Sequence, residues 1–421
     1  CDAIDIRADT KGKRAQRSHA AGCGRLGLEQ PCACAMFARD RVCLLKCLAA
    51  KGCVRQLRVS TTWKNGSANQ RPSTAVFENN YVPMRATQPQ PTICNVCNAT
   101  IIHKWQYCEF PRELDSTSFA ELLPDIDTFI FDADGVLWLG ETPIVGSLEF
   151  FEYLNKKNKQ VIVLTNNSNR SRRSLVAKMH KMGFAGTTEE NVINPAAIII
   201  EYLSSRGFQS SGKIVYLIGS QGFREELDEA RIEYFGCGPD PPDGTDIEQE
   251  NLLNKDAFIY RMGFDDAGKE VGAVIVAFEK HFNCVKMMRA ANFLQDENCL
   301  FLGTNEDETS PGPHPKTVIP DTGPILAAVK MAAGREPIVV GKPHAAAFHF
   351  VCSKWGIQPH RTMMIGDRSN TDIIFGRRYG MITTLVLSGV HSLEDVQRNQ
   401  RAGLADLLPD YYAPCLGSLV S

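Results

Sequence analysis

From residue 122 onward the chain alternates short apolar runs with amphipathic stretches, and this alternation restricts the fold more than any other property of the sequence. Residues 127–131 and 159–164 are apolar runs of strand length. Between them, residues 147–156 place Leu148, Phe151 and Leu154 on one helical face. Residues 171–182 read as the next helix. Further strands are expected at 214–218, 273–278, 299–302, 338–340, 362–365 and 383–387, with helices at 282–294, 323–332, 345–355 and 373–379. Strands and helices that alternate through short connections build a parallel sheet covered on both faces. In such sheets the chemistry collects at the carboxyl ends of the strands, so the residues that end each run are the ones to read.

The 421 residues carry a formal charge of −2, which gives no global electrostatic reason to expect nucleic acid or a membrane surface as partner. No apolar run approaches the roughly 18 residues that a membrane-spanning helix needs. The average hides two unlike pieces. Residues 1–115 hold 17 Lys and Arg against 9 Asp and Glu, together with ten of the 15 cysteines, whereas the remainder holds 29 against 39 and five cysteines. The first piece shows little periodicity and many polar, turn-forming runs, and no secretory signal opens it. Residues 1–116 are therefore read as an N-terminal extension, disordered or foreign to the working protein. Within it, Cys94, Cys97, His103 and Cys108 offer four ligands for a tetrahedral Zn²⁺, with Trp105 and Tyr107 beside them as stacking surfaces for single-stranded nucleic acid. The spacing is one residue longer than that of a retroviral zinc knuckle and lacks its glycines. The other seven cysteines of this piece do not repeat it, so the extension reading is preferred over a zinc or nucleic-acid module.

Four strand ends carry candidate chemistry. The first runs into Asp132-Ala133-Asp134-Gly135, two carboxylates that can face one pocket: one can attack phosphorus, the other handle a proton. An Asx turn explains the same residues without catalysis. The second ends in Thr165-Asn166-Asn167-Ser168, hydroxyl and amide donors for a phosphate oxygen, or simply caps for the following helix. The third, Gly341-Lys342-Pro343, leaves a lysine at a loop tip, either a counter-charge for phosphate or an ordinary exposed lysine. No Walker loop surrounds it. The fourth, Gly366-Asp367 followed by Asp372, adds carboxylates that with Asp132 make an oxygen-rich site suited to Mg²⁺. Asp372 also suits a helix start.

Taken in order, these motifs resemble the haloacid dehalogenase superfamily, and over about residues 117–416 the chain is similar to its phosphoglycolate phosphatase, 4-nitrophenylphosphatase and pyridoxal phosphatase group. The resemblance implies an α/β fold: a doubly wound parallel-sheet, Rossmann-like core at 117–213 and 338–416, with an inserted α/β cap domain at 214–337. It implies Asp132 as nucleophile and Asp134 as general acid and then base. It also implies Mg²⁺ held by Asp132, Asp367 and the main-chain carbonyl of Asp134, with Asp372 ordering its waters. Thr165, Asn166, Asn167 and Lys342 would hold the phosphoryl oxygens. The dehalogenase branch generally lacks the second aspartate, so Asp134 argues for phosphoryl transfer. The expected substrate is a small phosphate monoester, first 2-phosphoglycolate, with glycerol phosphate, pyridoxal phosphate or a phosphoprotein behind it. A homodimer through the cap and a cytoplasmic location are implied by resemblance alone. Residues 302–323 match the group's substrate-specificity segment, but 306–318 is unusually polar and proline-rich, and His314 is read as solvated.

Overall fold

The computed structural model describes residues 110–239, 270–310 and 317–420, together with the main chain of Thr92–Ile93 and Thr100–Ile101. The cysteine-rich extension, its candidate zinc cluster and His314 lie outside the described residues. Twelve strands carry the architecture: β1 (Arg112–Glu113), β2 (Thr128–Phe131), β3 (Gln160–Leu164), β4 (Val192–Ile193), β5 (Ile214–Ile218), β6 (Tyr234–Phe235), β7 (Val271–Val276), β8 (Leu300–Gly303), β9 (Ile338–Val339), β10 (Thr362–Gly366), β11 (Ile382–Val386) and β12 (Tyr411–Ala413). Seven of them form one sheet in the order β1-β12-β11-β10-β2-β3-β4, every pairing parallel. The other five form a second parallel sheet, β6-β5-β7-β8-β9, inserted in the chain between β4 and β10.

Both faces of the larger sheet are covered, as parallel pairing requires. Strand β2 shows why. Its side chains alternate: Phe129 and Phe131 enter an aromatic core with Phe119, Phe150 and Phe151, while Ile130 joins Ile162, Met364, Phe348 and Phe375 on the opposite side. That second core continues into the inserted sheet through Leu217, Ile275 and Leu302. The helices that supply the covering faces include α1 (Ser147–Lys156), α2 (Arg172–Met182), α3 (Gln221–Glu229) and α4 (Thr322–Ala333). Helix α2 starts on a Ser171 cap and stops at left-handed Gly183, φ +104°, so its ends are set by local sequence. A buried Glu226 on α3 accepts hydrogen bonds from the Arg172 main-chain and side-chain nitrogens and from Asn194, tying the inserted unit to the start of α2.

The boundary expected at residue 338 shifts. Strand β9 hydrogen-bonds to β8 at Leu302 and Gly303 and so closes the edge of the inserted sheet, rather than opening the second part of the core. The Gly-Lys-Pro loop is therefore delivered from the inserted sheet. Two apolar residues in a row read as a strand but carry no sign of which sheet they join. No helix among the described residues is long and apolar enough to cross a membrane.

Candidate active site

The chain leaves β2 at Asp132, whose amide still donates to Ile365 O on β10 at 2.9 Å. The carbonyl of Ala133 then accepts from the amides of Val136, Leu137 and Trp138, folding residues 133–138 into a tight turn. Gly135 makes the turn possible: its φ is +87°, and a Cβ there would collide with the Asp367 carboxylate. The turn places Asp132 beside Lys342, Nζ to Oδ1 2.7 Å, and the same ammonium lies 2.8 Å from Asp372 Oδ1. Lys342 is not the exposed loop lysine of the alternative reading; its side chain is only 1% exposed.

Carboxylate oxygens of Asp132, Asp367 and Asp372 come within 4.8 Å of one another. Asp367 Oδ2 accepts from the Val390 amide at 2.8 Å, while its buried Oδ1 has no partner. Asp372 Oδ2 accepts from the Arg368 amide at 3.1 Å. Burial pushes the Asp132 carboxyl up to about 7, helped by the like charges of Asp372 and Asp134 and opposed by Lys342. Burial likewise raises Asp367 well above the ordinary aspartate value, with Asp132 and Asp372 adding to it. Burial alone would lower Lys342, but Asp132 and Asp372 more than offset it and hold the ammonium above its ordinary range. Two buried carboxylates and a partly buried one, with one ammonium paired to Asp132 and Asp372, leave excess negative charge, and Asp367 Oδ1 is a free hard oxygen. This donor set fits a divalent cation that prefers oxygen.

The loop after β3 brings Thr165, Asn166 and Asn167 to the same pocket and ties part of their hydrogen bonding to protein. Asn166 spends both ends of its carboxamide on protein: Oδ1 accepts from the Lys342 amide at 2.8 Å, and Nδ2 donates to the Lys342 carbonyl and to Asp307 Oδ2. Asn167 Nδ2 donates to Asp134 Oδ2 at 3.2 Å, and its Oδ1 accepts from the Asn169 amide. Thr165 Oγ1 accepts from the Asn167 amide at 3.0 Å, which leaves its hydroxyl hydrogen for an oxygen in the pocket. So Asn166 has both Nδ2 hydrogens engaged, while Thr165 keeps its hydroxyl hydrogen and Asn167 its second Nδ2 hydrogen. The carboxylate of Asp134 is not among the three grouped acids; it is held by Asn167 and by Trp138 Nε1 at 2.8 Å.

These residues line a cavity of about 580 Å³ whose opposite wall comes from the inserted unit through Asp307, Ser310 and Asp321. Asp321 caps α4, accepting from the Thr322 amide, and Ser310 donates to its other oxygen. Arg368 reaches across to the Thr309 carbonyl at 2.5 Å. Asp307 is buried with one oxygen unpartnered, and burial raises its carboxyl against the pull of Arg368 and Asn166. Sequence reading named the segment that holds Asp307 but gave no role to Arg368 or Trp138. Trp138 lies three residues past the first quoted motif and Arg368 inside the fourth, and nothing in their spacing announces that Arg368 crosses to the other unit and Trp138 caps a carboxylate.

A parallel α/β core whose strand ends gather acids and one lysine around a small cavity defines a hydrolase class, and comparison with known proteins names it. The profile described as haloacid dehalogenase-like hydrolase matches residues 129–233, and a second HAD-hydrolase-like profile matches 339–417. Human glycerol-3-phosphate phosphatase is 34% identical over 306 residues, covering 71% of this chain and 91% of that protein. Human chronophin is 34% identical over 310 residues, 73% of this chain and 97% of that protein. A NipSnap protein of Caenorhabditis elegans is 38% identical over 291 residues, 68% of this chain, and the chain spans about half of it, 53%. Among solved structures, the p-nitrophenyl phosphatase of Archaeoglobus fulgidus superimposes with TM-score 0.56 at 26% identity, over 70% of this chain and 99% of that one. The chain belongs to the haloacid dehalogenase-like hydrolases, and its enzyme class is phosphoric monoester hydrolase.

Proposed function

We propose that the protein is a Mg²⁺-dependent phosphatase that hydrolyses small phosphate monoesters through a phosphoryl group carried on Asp132. The observation that supports this best is the pairing of Asp132 with a fully enclosed Lys342 at 2.7 Å beside two further carboxylates. Asp132 and Asp367, with the main-chain carbonyl of Asp134, would hold the ion, and Asp372 would order its waters. When bound there it supplies positive charge against the repulsion between a carboxylate nucleophile and a phosphate dianion.

The steps balance on the chain's own residues. An Asp132 carboxylate oxygen forms a bond to phosphorus and the bond from phosphorus to the ester oxygen breaks. The released electron pair takes a proton from the Asp134 carboxyl, giving the free alcohol. A water then attacks the same phosphorus, passing its proton to Asp134, and the bond to Asp132 breaks to release phosphate. Lys342 faces the growing negative charge throughout, and Thr165 donates to a phosphoryl oxygen. The inserted unit acts as the cap: its Asp307, Ser310 and Asp321 close the cavity to a size that suits metabolites.

For the leaving group, 2-phosphoglycolate is the expectation from sequence, and glycerol 3-phosphate is the substrate in the name of a close relative. The leaving-group side of the cavity presents both signs of charge, Asp307 and Asp321 from the inserted unit and Arg368 from the core. Ranking kcat/KM for glycerol phosphate, 2-phosphoglycolate and pyridoxal phosphate with Mg²⁺ decides between them. Asp132→Asn tests the covalent step. It should lower kcat by more than about 10⁴-fold while the far-ultraviolet spectrum stays the same, and near-normal turnover would reject the mechanism.

A further inference from the structure

Asp134 stands in an unusual setting for a carboxylate at the edge of a crowded acidic site. Its two oxygens are each held by a neutral donor: Oδ1 by the indole N–H of Trp138 at 2.8 Å, Oδ2 by Asn167 Nδ2 at 3.2 Å. Trp138 is 1% exposed and packs edge-on against Phe184, with ring centroids 6.0 Å apart, so the indole is itself immobilised. Lys178, from helix α2, places its Nζ 4.6 Å from the centroid of the same ring. Lys178 is buried as well; burial pulls its ammonium below the usual lysine range, against the attraction of Asp134 and Glu141. The indole ring is the contact that this ammonium makes among the described residues.

We infer that Trp138, backed by Lys178, is the positioning residue for proton transfer by Asp134; this rests on the reading of Asp134 as the acid. An aspartate has two side-chain torsions, and a donor on each oxygen fixes both. The donors are neutral, so the carboxyl can take up and release a proton without breaking an ion pair, as Asp132 beside Lys342 would have to. A cation on the ring face draws electron density from the indole and strengthens its N–H as a donor. The device matters at one moment. As Asp132 bonds to phosphorus and the ester bond breaks, the departing oxygen takes its proton from Asp134. A misplaced Asp134 costs rate in proportion to how much that oxygen needs the proton.

This dependence separates positioning from mere structural support. Glycerol phosphate expels a basic alkoxide and needs the proton, whereas p-nitrophenyl phosphate expels a stable phenolate and does not. In the presence of Mg²⁺, Trp138→Phe keeps the ring and removes the N–H. Its kcat/KM should fall about tenfold or more for glycerol phosphate and less than about threefold for p-nitrophenyl phosphate. Equal losses on both esters, or none on either, would overturn the inference. Should Trp138→Phe fail to fold, Lys178→Met keeps the apolar stem and decides alone. A selective loss of about two- to fivefold is expected there, and an equal loss or no change rejects the proposal. Asp134→Asn tells the two levels apart. If it lowers kcat/KM for both esters alike, the acid assignment under the proposed function fails. If it is selective and Trp138→Phe is not, only the role of Trp138 fails.

Discussion

Strands β2 and β10 lie side by side in the sheet, and their two ends have opposite electrostatics. At the carboxyl ends the partly buried Asp132 crowds with buried Asp367 and Asp372, and both Asp132 and Asp367 are pushed up from the ordinary aspartate value. At the amino ends, Asp127 and Arg361 form a two-armed ion pair of 2.5 and 2.8 Å, open to solvent, and the hydrogen bond from Arg361 pulls Asp127 down. The same pair of strands thus carries a set of charges that the fold holds against their preference and a set that relaxes into mutual attraction. The first is where binding a cation and a phosphate has something to relieve. The second belongs to the scaffold.

The largest effects are expected at the strained end. Lys342→Met leaves Asp132 and Asp372 without their cation. Activity should drop by about 10³-fold or more, and folding should lose about 3–5 kcal/mol as an uncompensated buried charge set remains. A variant with the parent kcat would show that Lys342 only fills space. Next comes the ion. If the acidic cluster holds Mg²⁺, adding it at about 100 times its Kd should stabilise the parent by about 2.7 kcal/mol, read as a rise in Tm. Asp367→Asn removes a charge and a free oxygen from the cluster, so it should abolish most of that rise. An equal rise in both proteins would place the ion elsewhere.

The strained end was also the legible one. Asp132, Asp134, Lys342, Asp367 and Asp372 could be named because each follows an apolar run and because a strand end leaves few directions for a side chain. What those residues touch was not legible. Asn166 and Asn167 read as phosphate donors because amides at a strand end can always donate. Only the three-dimensional neighbours show that Asn166 is committed to Lys342 and Asp307, and that Asn167 gives one of its two Nδ2 hydrogens to Asp134. Trp138 stands four residues from the carboxylate it holds, but Lys178 reaches it from a helix forty residues on. The edge strand β9 was assigned to the wrong sheet for a similar reason, since pairing partners of two-residue strands depend on long-range packing. Helix α3 and its buried Glu226 went unnamed because Phe223 and Leu227 are the large apolar residues of the run Gln221–Glu229, which leaves its apolar face narrow.

Between the two extremes lies Asn166, which touches the strained end without carrying charge. Asn166→Ala removes the clamp that holds the Lys342 main chain and leaves the Asp307 carboxylate with Asn305 as its remaining amide donor. A stability loss of about 1–3 kcal/mol is expected, the usual consequence of leaving buried polar groups unpaired. The kcat should fall far less than in Lys342→Met, because the ammonium is still present. A loss as deep as that of Lys342→Met would mean that the position of the lysine, rather than its charge, limits the reaction.

The smallest effect is expected at the quiet end, where Arg361→Ala breaks the pair with Asp127 and a further bond to the Pro124 carbonyl. The groups are largely solvated, so Tm should fall by less than about 3 °C and kcat should not change. The pH dependence has a definite sign. A carboxyl held below its unfolded value adds stability above that value and gives it up as pH falls through the lowered one. The difference in Tm between parent and variant should therefore be constant near neutrality and close below about pH 4. A change in kcat on breaking this pair would mean that the two ends of the strands communicate through the sheet. The division between a strained catalytic edge and a relaxed supporting edge would then have to be given up.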